Sequence, residues 1–456
     1  MNSQPTIFNQ RQVEQIFSRA LAHHQAGEYE AAQLGYQETL RLYPQHFDAW
    51  HLLGALANTA KQYAIALECL DRAIALYPNA SDFWGNRALA LEGLKRFEEA
   101  LESFDQALRL HPDCATTWYN RGNVLKDLGR LEIALDSFKR AIVIRPDYSA
   151  AYLNAGTVQQ QMGDVAESLR SYQRAIDTAP NSAAAHWNKS LACLLLGDFE
   201  QGWKLHEWRW RWQGFSSPKR EFTQPLWLGE MPIQGKRILL CAEQGFGDTI
   251  QFCRYASELG KQGATVLLET PAPLLTLFKT LAHVDAWVAE DSVKTGFDYY
   301  CPLLSLPLAL HHFSEQDIPR RPYLMAPALG VAQWEKKLGK KTKPRVGVVW
   351  QSGPWSINGQ GYRRNLPFTI LAKLRHLNLD FYSLQKGENI SDDFQQLKTS
   401  VWPDNNLYFY TQDLHDYADT AALISQLDLV ISVDTSVAHL AGALGTPVWL
   451  LLRYDA

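Results

Sequence analysis

Residues 118–146 read WYNRGNVLKDLGRLEIALDSFKRAIVIRP, a stretch that ends on a proline and whose pattern recurs along the first half of the chain. A period of this length is typical of repeats in which each unit is a pair of antiparallel helices. We therefore predict a helical solenoid in which a proline ends the second helix of each pair. The prolines stand 34 residues apart, at Pro44, Pro78, Pro112, Pro146 and Pro180.

Large and small residues alternate at fixed positions within each repeat. An aromatic residue opens the first helix and a small residue follows four positions later, whereas the second helix carries a small residue and then a large one. This alternation lets neighbouring helices approach closely and interdigitate. The first-helix pairs are Trp50 and Gly54, Trp84 and Ala88, Trp118 and Gly122, and Tyr152 and Gly156, and the second-helix pairs are Ala66 and Leu70, Ala100 and Phe104, Ala134 and Phe138, and Ser168 and Tyr172.

This pattern resembles the tetratricopeptide repeat over about residues 13–182. We predict five full repeats and a divergent sixth that starts at Ala183, so that the solenoid occupies residues 1–213. The sixth repeat ends in the run EWRWRW at 207–212. Two interpretations of this run stay open: its side chains stack on bases or sugars, or they form a packed hinge to the next domain.

Asparagine recurs two residues after the opening aromatic position, where first-helix residues of such a solenoid face the concave groove. A side-chain amide both donates and accepts hydrogen bonds, so a row of amides can pair with an extended polypeptide of any sequence. The alternative is that each amide bonds a neighbouring repeat. The repeats thus favour an extended polypeptide as partner. The residues of this row are Asn86, Asn120, Asn154 and Asn188.

Composition excludes several classes of protein. The 456 residues are 46% hydrophobic and 20% charged, unlike a disordered chain, and a net charge of −4 gives no overall field to attract nucleic acid or an anionic membrane. The six cysteines form no zinc-binding pattern, no apolar run could span a membrane, and residues 1–13 lack the apolar core of a secretory signal. We therefore expect reduced thiols, no metal site and a cytoplasmic location.

From Arg237 onward, short runs rich in Val, Ile and Leu alternate with helical stretches. This alternation predicts parallel sheets covered by helices on both faces. A charged, proline-containing stretch at 314–344 separates two lobes, 222–325 and 343–456, with a cleft between them and ligands at the carboxyl ends of the strands. Predicted strands are Arg237–Ala242, Thr265–Thr270, Ala286–Glu290, Phe297–Pro302, Arg345–Gln351, Phe381–Gln385, Leu407–Thr411, Leu427–Asp434 and Val448–Leu452, and helices of the second lobe are Pro367–His376, Ser391–Thr399, Ala418–Gln426 and Ser436–Leu444.

A glycine-rich segment, EQGFGDT at 243–249, follows the first predicted strand and opens a helix. Glycines let the backbone turn tightly and approach a ligand, and Asp248 lands near the start of the helix, facing the cleft. A dinucleotide-binding fingerprint is excluded, because its third glycine is missing. Asp248 is therefore a candidate for a functional carboxylate, or it simply caps the helix. The other residues that we place on this loop's ligand side are Gln244, Gly245, Gly247 and Thr249.

A second segment, VDTSVAH at 433–439, runs from a predicted strand directly into a helix. Thr435 and Ser436 present hydroxyls and backbone N–H groups at the positive end of that helix, which suits a diphosphate. The alternative is an ordinary capped helix. The candidate anion-binding residues are Asp434, Thr435, Ser436, Val437 and His439.

Together with GALGTP at 442–447, the two segments resemble the heptosyltransferase family of glycosyltransferases, family 9, from about Leu226 to the end. With the repeats, the layout is similar to that of O-linked N-acetylglucosamine transferases. The resemblance implies a GT-B fold of two Rossmann-like lobes and inverting transfer of a sugar from a nucleotide-diphosphate sugar, without a metal or other cofactor. It further implies that Asp248 is the general base in an acceptor-side loop and that the second segment holds the donor's phosphates.

The resemblance also implies a basic phosphate ligand in the glycine-rich loop that follows strand Arg345–Gln351. Arg364 is the candidate, with Arg363 beside it as the second choice. Ser352 and Gly353, at the end of the same strand, can add backbone donors. Further candidates for ribose or phosphate contacts, after the next strand, are Gln385 and Lys386.

The chain stops at Ala456, four residues after the last predicted strand, whereas family members usually continue. We therefore expect a truncated C-terminal lobe. The alternative function is a non-catalytic scaffold, whose repeats collect partners and whose α/β half retains only the fold.

Overall fold

The computed structural model describes residues 7–290, 292, 294–352, 364–386 and 399–452. The chain divides into two compact units, residues 1–185 and 186–456. The division falls within the first helix of the divergent sixth repeat, so the predicted solenoid of residues 1–213 includes residues of both units.

The first unit is a series of helix pairs, which confirms the predicted α-solenoid. Each helix packs most extensively against the other member of its pair and less against the next pair along the chain. The helices are α1 (Ile7–Gln25), α2 (Tyr29–Leu42), α3 (Phe47–Thr59), α4 (Tyr63–Leu76), α5 (Ser81–Gly93), α6 (Phe97–Leu110), α7 (Ala115–Asp127), α8 (Leu131–Ile144), α9 (Ser149–Gln161) and α10 (Val165–Thr178).

A hydrogen bond links two of the periodic residue types. The indole Nε1 of Trp84 donates to the carbonyl of Pro78 across 2.8 Å, and the same bond, at the same length, joins Trp118 to Pro112. Trp50 and Pro44 repeat it in the first of these turns, again at 2.8 Å. In these three pairs, the tryptophan that opens the pair therefore closes the turn that precedes it.

The small residues of the pattern lie where helices touch. A Cβ atom added to Gly122 would stand 2.6 Å from Cε1 of Phe138, and one added to Gly156 would stand 2.6 Å from Cε1 of Tyr172. Real Cβ atoms do not approach other heavy atoms this closely, so the glycines are required by the approach of the two helices. This confirms the predicted alternation of small and large residues.

We expect Gly122→Ala and Gly85→Ala to change stability in opposite directions. The first overpacks the α7–α8 contact and costs about 1–3 kcal/mol. At Gly85 in α5 no atom lies within 4 Å of an added Cβ, so alanine gains up to about 1 kcal/mol of helix propensity. Thermal unfolding followed by circular dichroism measures both, and a lower midpoint in both variants would contradict this account of the repeat.

The second unit begins with one further helix pair and continues into strands and helices. Every predicted strand is present, with ends that differ by at most two residues. The strands are β1 (Arg237–Cys241), β2 (Thr265–Thr270), β3 (Ala286–Ala289), β4 (Tyr299–Pro302), β5 (Arg345–Val349), β6 (Asp380–Ser383), β7 (Leu407–Phe409), β8 (Leu429–Val433) and β9 (Val448–Leu451).

The strands form two parallel sheets, ordered β3-β2-β1-β4 and β7-β6-β5-β8-β9. The order reverses between β1 and β4 in the first sheet and between β5 and β8 in the second. In open sheets of this kind, ligands bind outside the carboxyl ends of the strands at such a reversal. The loop after β1 and the turn after β8, which carry the two candidate segments, are at these points.

The helices of the second unit cover the two sheets. Helix α17 lies inside the stretch 314–344, which the sequence analysis treated as a connection, and buries Trp334. The predicted helix 391–399 lies almost entirely outside the described residues. The helices are α11 (Ala183–Leu195), α12 (Phe199–His206), α13 (Phe246–Phe252), α14 (Ala256–Lys261), α15 (Leu275–Phe278), α16 (Leu306–Ala309), α17 (Ala328–Leu338), α18 (Phe368–Leu371), α19 (Tyr417–Ile424) and α20 (Ser436–Leu444).

One hydrophobic core is shared by helices and strands of both sheets and includes Ile250 of α13 and Leu440 of α20. The helix that follows β1 therefore packs on the helix that follows β8. In the part of the chain that the structure describes, no helix combines the length and the apolar character needed to cross a membrane.

Candidate functional site

The two candidate segments meet where α13 and α20 begin. A Cβ atom added to Gly247 would lie 2.9 Å from Cδ2 of His439 and 3.5 Å from Cα of Ser436. A side chain at this position would separate the helices, so the glycine sets how closely they approach. The segment after β1 and the segment after β8 therefore belong to one site.

Asp248 is half-buried in the first turn of α13. Its Oδ2 accepts the backbone N–H of Gly245 at 3.1 Å, so the residue does cap its helix. Burial raises the pKa of the Asp248 carboxyl, while the Gly245 N–H and the protonated form of His439 oppose that rise in pKa. The structure thus brings Asp248 beside the second segment in addition to its capping contact, and a raised pKa makes its carboxylate a better proton acceptor.

Asp434, at the end of β8, lies between two basic side chains. Its Oδ2 is 3.1 Å from Nη1 of Arg364, and its Oδ1 is 3.9 Å from Nε2 of His439. Burial lowers the pKa of His439, which leaves the imidazole mainly uncharged at neutral pH. The predicted phosphate cation, Arg364, is therefore at the site, half-exposed and paired with Asp434.

The N-terminus of α20 carries two hydroxyl groups. Ser436 Oγ lies 2.7 Å from the phenol oxygen of Tyr417, and Thr435 Oγ1 lies 3.1 Å from Oγ of Ser432. Thr435 occupies the N-cap position, and no side-chain capping bond is found for this helix among the described residues. The N–H of Ala438 donates to the carbonyl of Thr435 at 3.0 Å, which leaves the N–H groups of Ser436 and Val437 as the ones at this helix end that a side chain does not cap.

An aromatic pair that the sequence analysis missed lies beside these residues. The rings of Phe246 and Tyr417 are 5.6 Å apart between centroids, at an interplanar angle of 67°. Nζ of Lys386 is 5.8 Å from the centroid of the Tyr417 ring. Burial raises the pKa of Tyr417 and lowers that of Lys386. Tyr417 is the first residue of α19 and has no periodic signature, so no sequence signal pointed to it.

Two of the predicted donor-binding residues, Gln385 and Ser352, form hydrogen bonds within the protein. Oε1 of the buried Gln385 accepts the N–H groups of Trp350 and Gln351 at 3.2 and 3.0 Å, which holds the end of β5 against that of β6. Ser352 bonds Oδ1 of Asn365 through its backbone N–H at 2.9 Å and its hydroxyl at 3.2 Å. Gly353 and Arg363 lie outside the described residues.

The remaining residues of the two segments mostly shape the backbone. The hydroxyl of Thr249 is buried and donates to the carbonyl of Gly245 at 3.1 Å. Gln244 has a φ of +62°, in the left-handed region. Val437 packs against the shared core. Within the described ranges, no three His, Cys, Asp or Glu side chains are arranged to hold a metal ion.

The run EWRWRW belongs to the second unit, where Arg209 is buried, the three tryptophans are half-buried and Arg211 is exposed. The guanidinium of Arg211 lies 4.6 Å from the ring centroid of Trp208, and the Trp208 ring also stacks on His186 at 3.7 Å between ring centroids. Arg209 is completely buried, 4.5 Å from the ring centroid of Trp210. These contacts favour packing over an exposed stacking surface, and the run lies within the second unit rather than at the division between the two units.

The asparagine row has contacts between repeats. Nδ2 of Asn86 lies 2.7 Å from Nε2 of His51, and Nδ2 of Asn154 donates to Oδ1 of Asn123 at 2.7 Å. Both partners belong to the preceding repeat, as the alternative interpretation of the row expects. The bond of Asn86 uses one donor of its amide, whereas Nδ2 of Asn154 also donates to the phenol oxygen of Tyr119 at 3.2 Å and so uses both. The amide oxygens are the groups that can still accept a hydrogen bond from a ligand.

Comparisons with known proteins agree with this layout. Residues 17–81, 59–107, 86–149 and 153–201 match the tetratricopeptide repeat model, and residues 416–452 match glycosyltransferase family 9, the heptosyltransferases. The chain thus combines tetratricopeptide repeats with a C-terminal segment similar to family 9, which indicates a domain of the glycosyltransferase type.

One curated relative is Protein FlbA of Caulobacter vibrioides, which is 28% identical over 57% of this chain and 46% of its own length. The chain therefore spans about half the length of that relative. Among solved structures, PilW, a type IV pilus biogenesis factor, has a TM-score of 0.40 at 18% identity and covers 42% of this chain and 90% of its own. YrrB, a tetratricopeptide repeat protein with an unusual peptide-binding site, has a TM-score of 0.34 at 18% identity, covering 38% and 89%.

We expect Gly247→Ala to loosen the contact between α13 and α20, because the methyl group must displace His439. The cost of overpacking, about 1–3 kcal/mol, should speed amide hydrogen exchange in both helices by about tenfold or more. Gly442→Ala is the control, since no atom lies within 4 Å of a Cβ added there. Equal exchange in Gly247→Ala and the unchanged protein would contradict the close approach.

Proposed function

We propose that this chain is an inverting glycosyltransferase of GT-B architecture that moves a sugar from a nucleotide-diphosphate sugar to an acceptor hydroxyl. The observation that carries the proposal is that Asp248, at the start of α13, lies beside His439 and the ion pair of Arg364 with Asp434, at the start of α20. One carboxylate, one cation and one helix N-terminus thus converge from two lobes. The family 9 match supports the proposal, because residues 416–452 include the α20 segment.

In this reaction, Asp248 acts as the general base. The acceptor oxygen forms a bond to the anomeric carbon while the bond from that carbon to the diphosphate oxygen breaks, which inverts the configuration. The hydroxyl proton passes to the Asp248 carboxylate. The burial that raises the pKa of Asp248 suits this role, because a more basic carboxylate takes the proton more readily.

The leaving diphosphate gains negative charge, which the N-terminus of α20 and Arg364 stabilise. Arg364 exchanges its partner Asp434 for a phosphate oxygen when the donor binds. The neutral imidazole of His439 donates one hydrogen bond at the same edge. Gln385 and Ser352 hold the end of β5 at the donor side, and the proposal assigns no step to a metal ion or other cofactor.

The repeats suggest binding to a peptide or protein. We propose that their concave groove holds an extended polypeptide through Asn120, Asn154 and the other amides of the row, and that this polypeptide brings the acceptor.

The six cysteines are unpaired, which supports a reducing compartment, the cytoplasm, as the location of this protein.

A second candidate function is a non-catalytic scaffold. The observation that favours it is the close packing at Gly247, where α13 and α20 leave space for a hydrogen atom only. A protein that keeps the fold without the reaction would retain this packing and use the repeats alone.

We expect the purified protein to release free nucleotide diphosphate from at least one UDP-, GDP-, ADP- or dTDP-linked sugar. Asp248→Asn should lower that rate by about a hundredfold or more, because the amide cannot accept the proton. Asp136→Asn, at an exposed position of α8, is the matched control. The rate should also rise with pH through the pKa of Asp248, above the usual pKa of an aspartate.

If the chain is a non-catalytic scaffold, calorimetry with the whole donor panel would show no binding, and Asp248→Asn would behave like the Asp136→Asn control.

For the groove, we expect Asn120→Ala combined with Asn154→Ala to weaken binding of extended peptides on an array by about thirtyfold, since the loss of each amide costs about 1 kcal/mol. Asn181→Ala, in the exposed turn between α10 and α11, is the control. If the amides only join repeats, the double variant would unfold at lower temperature and bind peptides unchanged.

A further inference from the structure

Residues 206–217 contact the loop that carries Asp248. The guanidinium of Arg209 is completely buried and binds both carboxylate oxygens of Glu243, from Nε to Oε2 at 2.9 Å and from Nη2 to Oε1 at 3.0 Å. Nη2 also donates to Oγ of Ser305 at 2.7 Å. A fork-to-fork pair of this kind fixes direction as well as distance.

Glu243 lies at the point where the first sheet reverses its strand order. It follows the end of β1 by two residues, and its Oε1 also accepts the N–H of Leu304, which follows β4, at 2.9 Å. One carboxylate thus joins the carboxyl ends of the two strands that flank the predicted ligand crevice.

The next two residues are fixed as well. Gln244 has the left-handed φ of +62°, and its N–H donates to Oγ of Ser217 at 2.7 Å. The N–H of Gly245 donates to Asp248 itself. Strained backbone of this kind persists only when surrounding contacts determine it, so the path from β1 to Asp248 is set by Glu243 and Ser217.

Stability alone is a poor explanation for this network. Burying an ion pair costs nearly as much desolvation energy as its attraction returns, and apolar residues of similar volume often hold a fold equally well. Unlike apolar packing, hydrogen bonds fix the direction of the backbone and side chains at Glu243, Gln244 and Gly245, the residues that lead to Asp248. A shift of about 1 Å at a reacting group can cost on the order of a hundredfold in rate.

We propose that Arg209 and Ser217 are positioning residues, which set the geometry of the 243–248 loop so that Asp248 faces the reacting atoms. This inference rests on the proposed function of Asp248. It gives the EWRWRW run a role in the reaction, since Arg209 acts through Glu243 and never touches the substrate.

Ser217→Ala tests the proposal without disturbing the core, because it removes only the acceptor of the Gln244 N–H. We expect kcat for nucleotide diphosphate release to fall about tenfold while the donor's dissociation constant by calorimetry stays unchanged, since the donor site lies at α20. Ser217→Thr keeps the hydroxyl and should restore the rate, and Ser216→Ala is the matched control. A loss of stability alone would reduce the binding-competent fraction and leave kcat per bound donor unchanged.

Amide hydrogen exchange separates this inference from the proposed function. The peptide covering 243–248 should exchange about tenfold faster in Ser217→Ala and in Arg209→Lys, which keeps the charge and loses the fork, but not in Ser217→Thr. If the unchanged protein turns over no donor, the proposed function fails and the exchange data still decide whether the loop is held as described. The proposal would be overturned if Ser217→Ala showed the same hydrogen exchange and the same turnover as the unchanged protein.

Discussion

The backbone of Gly247 lies against the imidazole of His439, and the arrangement of the second unit depends on this contact. It lets α13 and α20 start side by side, so that two loops from separate sheets share one site. Helix α13 follows β1 and helix α20 follows β8, and each of these strands lies where its sheet reverses order. Parallel sheets bind ligands at such reversals, outside the carboxyl ends of the strands. Asp248 and Asp434 therefore lie close together for two reasons: each follows a strand at which its sheet reverses order, and residue 247 is a glycine with no side chain to separate the helices.

The site contains two ion pairs that differ in burial. Arg364 and Asp434 are partly exposed, so separating this pair costs little. Arg209 and Glu243 are buried, and separating them would leave a charge without a partner in the core. The exposed pair therefore suits a changing role with a ligand, whereas the buried pair suits a fixed role in holding the loop.

The sequence predicts most of the fold because the repeat is periodic and the strands are continuous apolar runs. The 34-residue repeat specifies the solenoid, and short apolar runs mark the strands, both the fully buried β5 and the largely exposed β9, so β1 to β9 are found to within two residues. Helix α17 is missed because Pro327 and a series of charges mark its surroundings as a connection. Phe246 and Tyr417, like Arg209 and Glu243, are distant in sequence, and nothing local indicates that they meet. The residues of the site are predictable one segment at a time, whereas their partners depend on tertiary packing.

The bond between each indole and the preceding proline carbonyl has a consequence for how the repeats arise. Both atoms belong to a stretch of seven residues, such as Pro78–Trp84, and the bond recurs unchanged in successive turns. A duplication or deletion of one whole period would carry its own closing bond with it and break none elsewhere. At these three turns, recombination by whole periods therefore changes the length of the array without the loss of a closing bond.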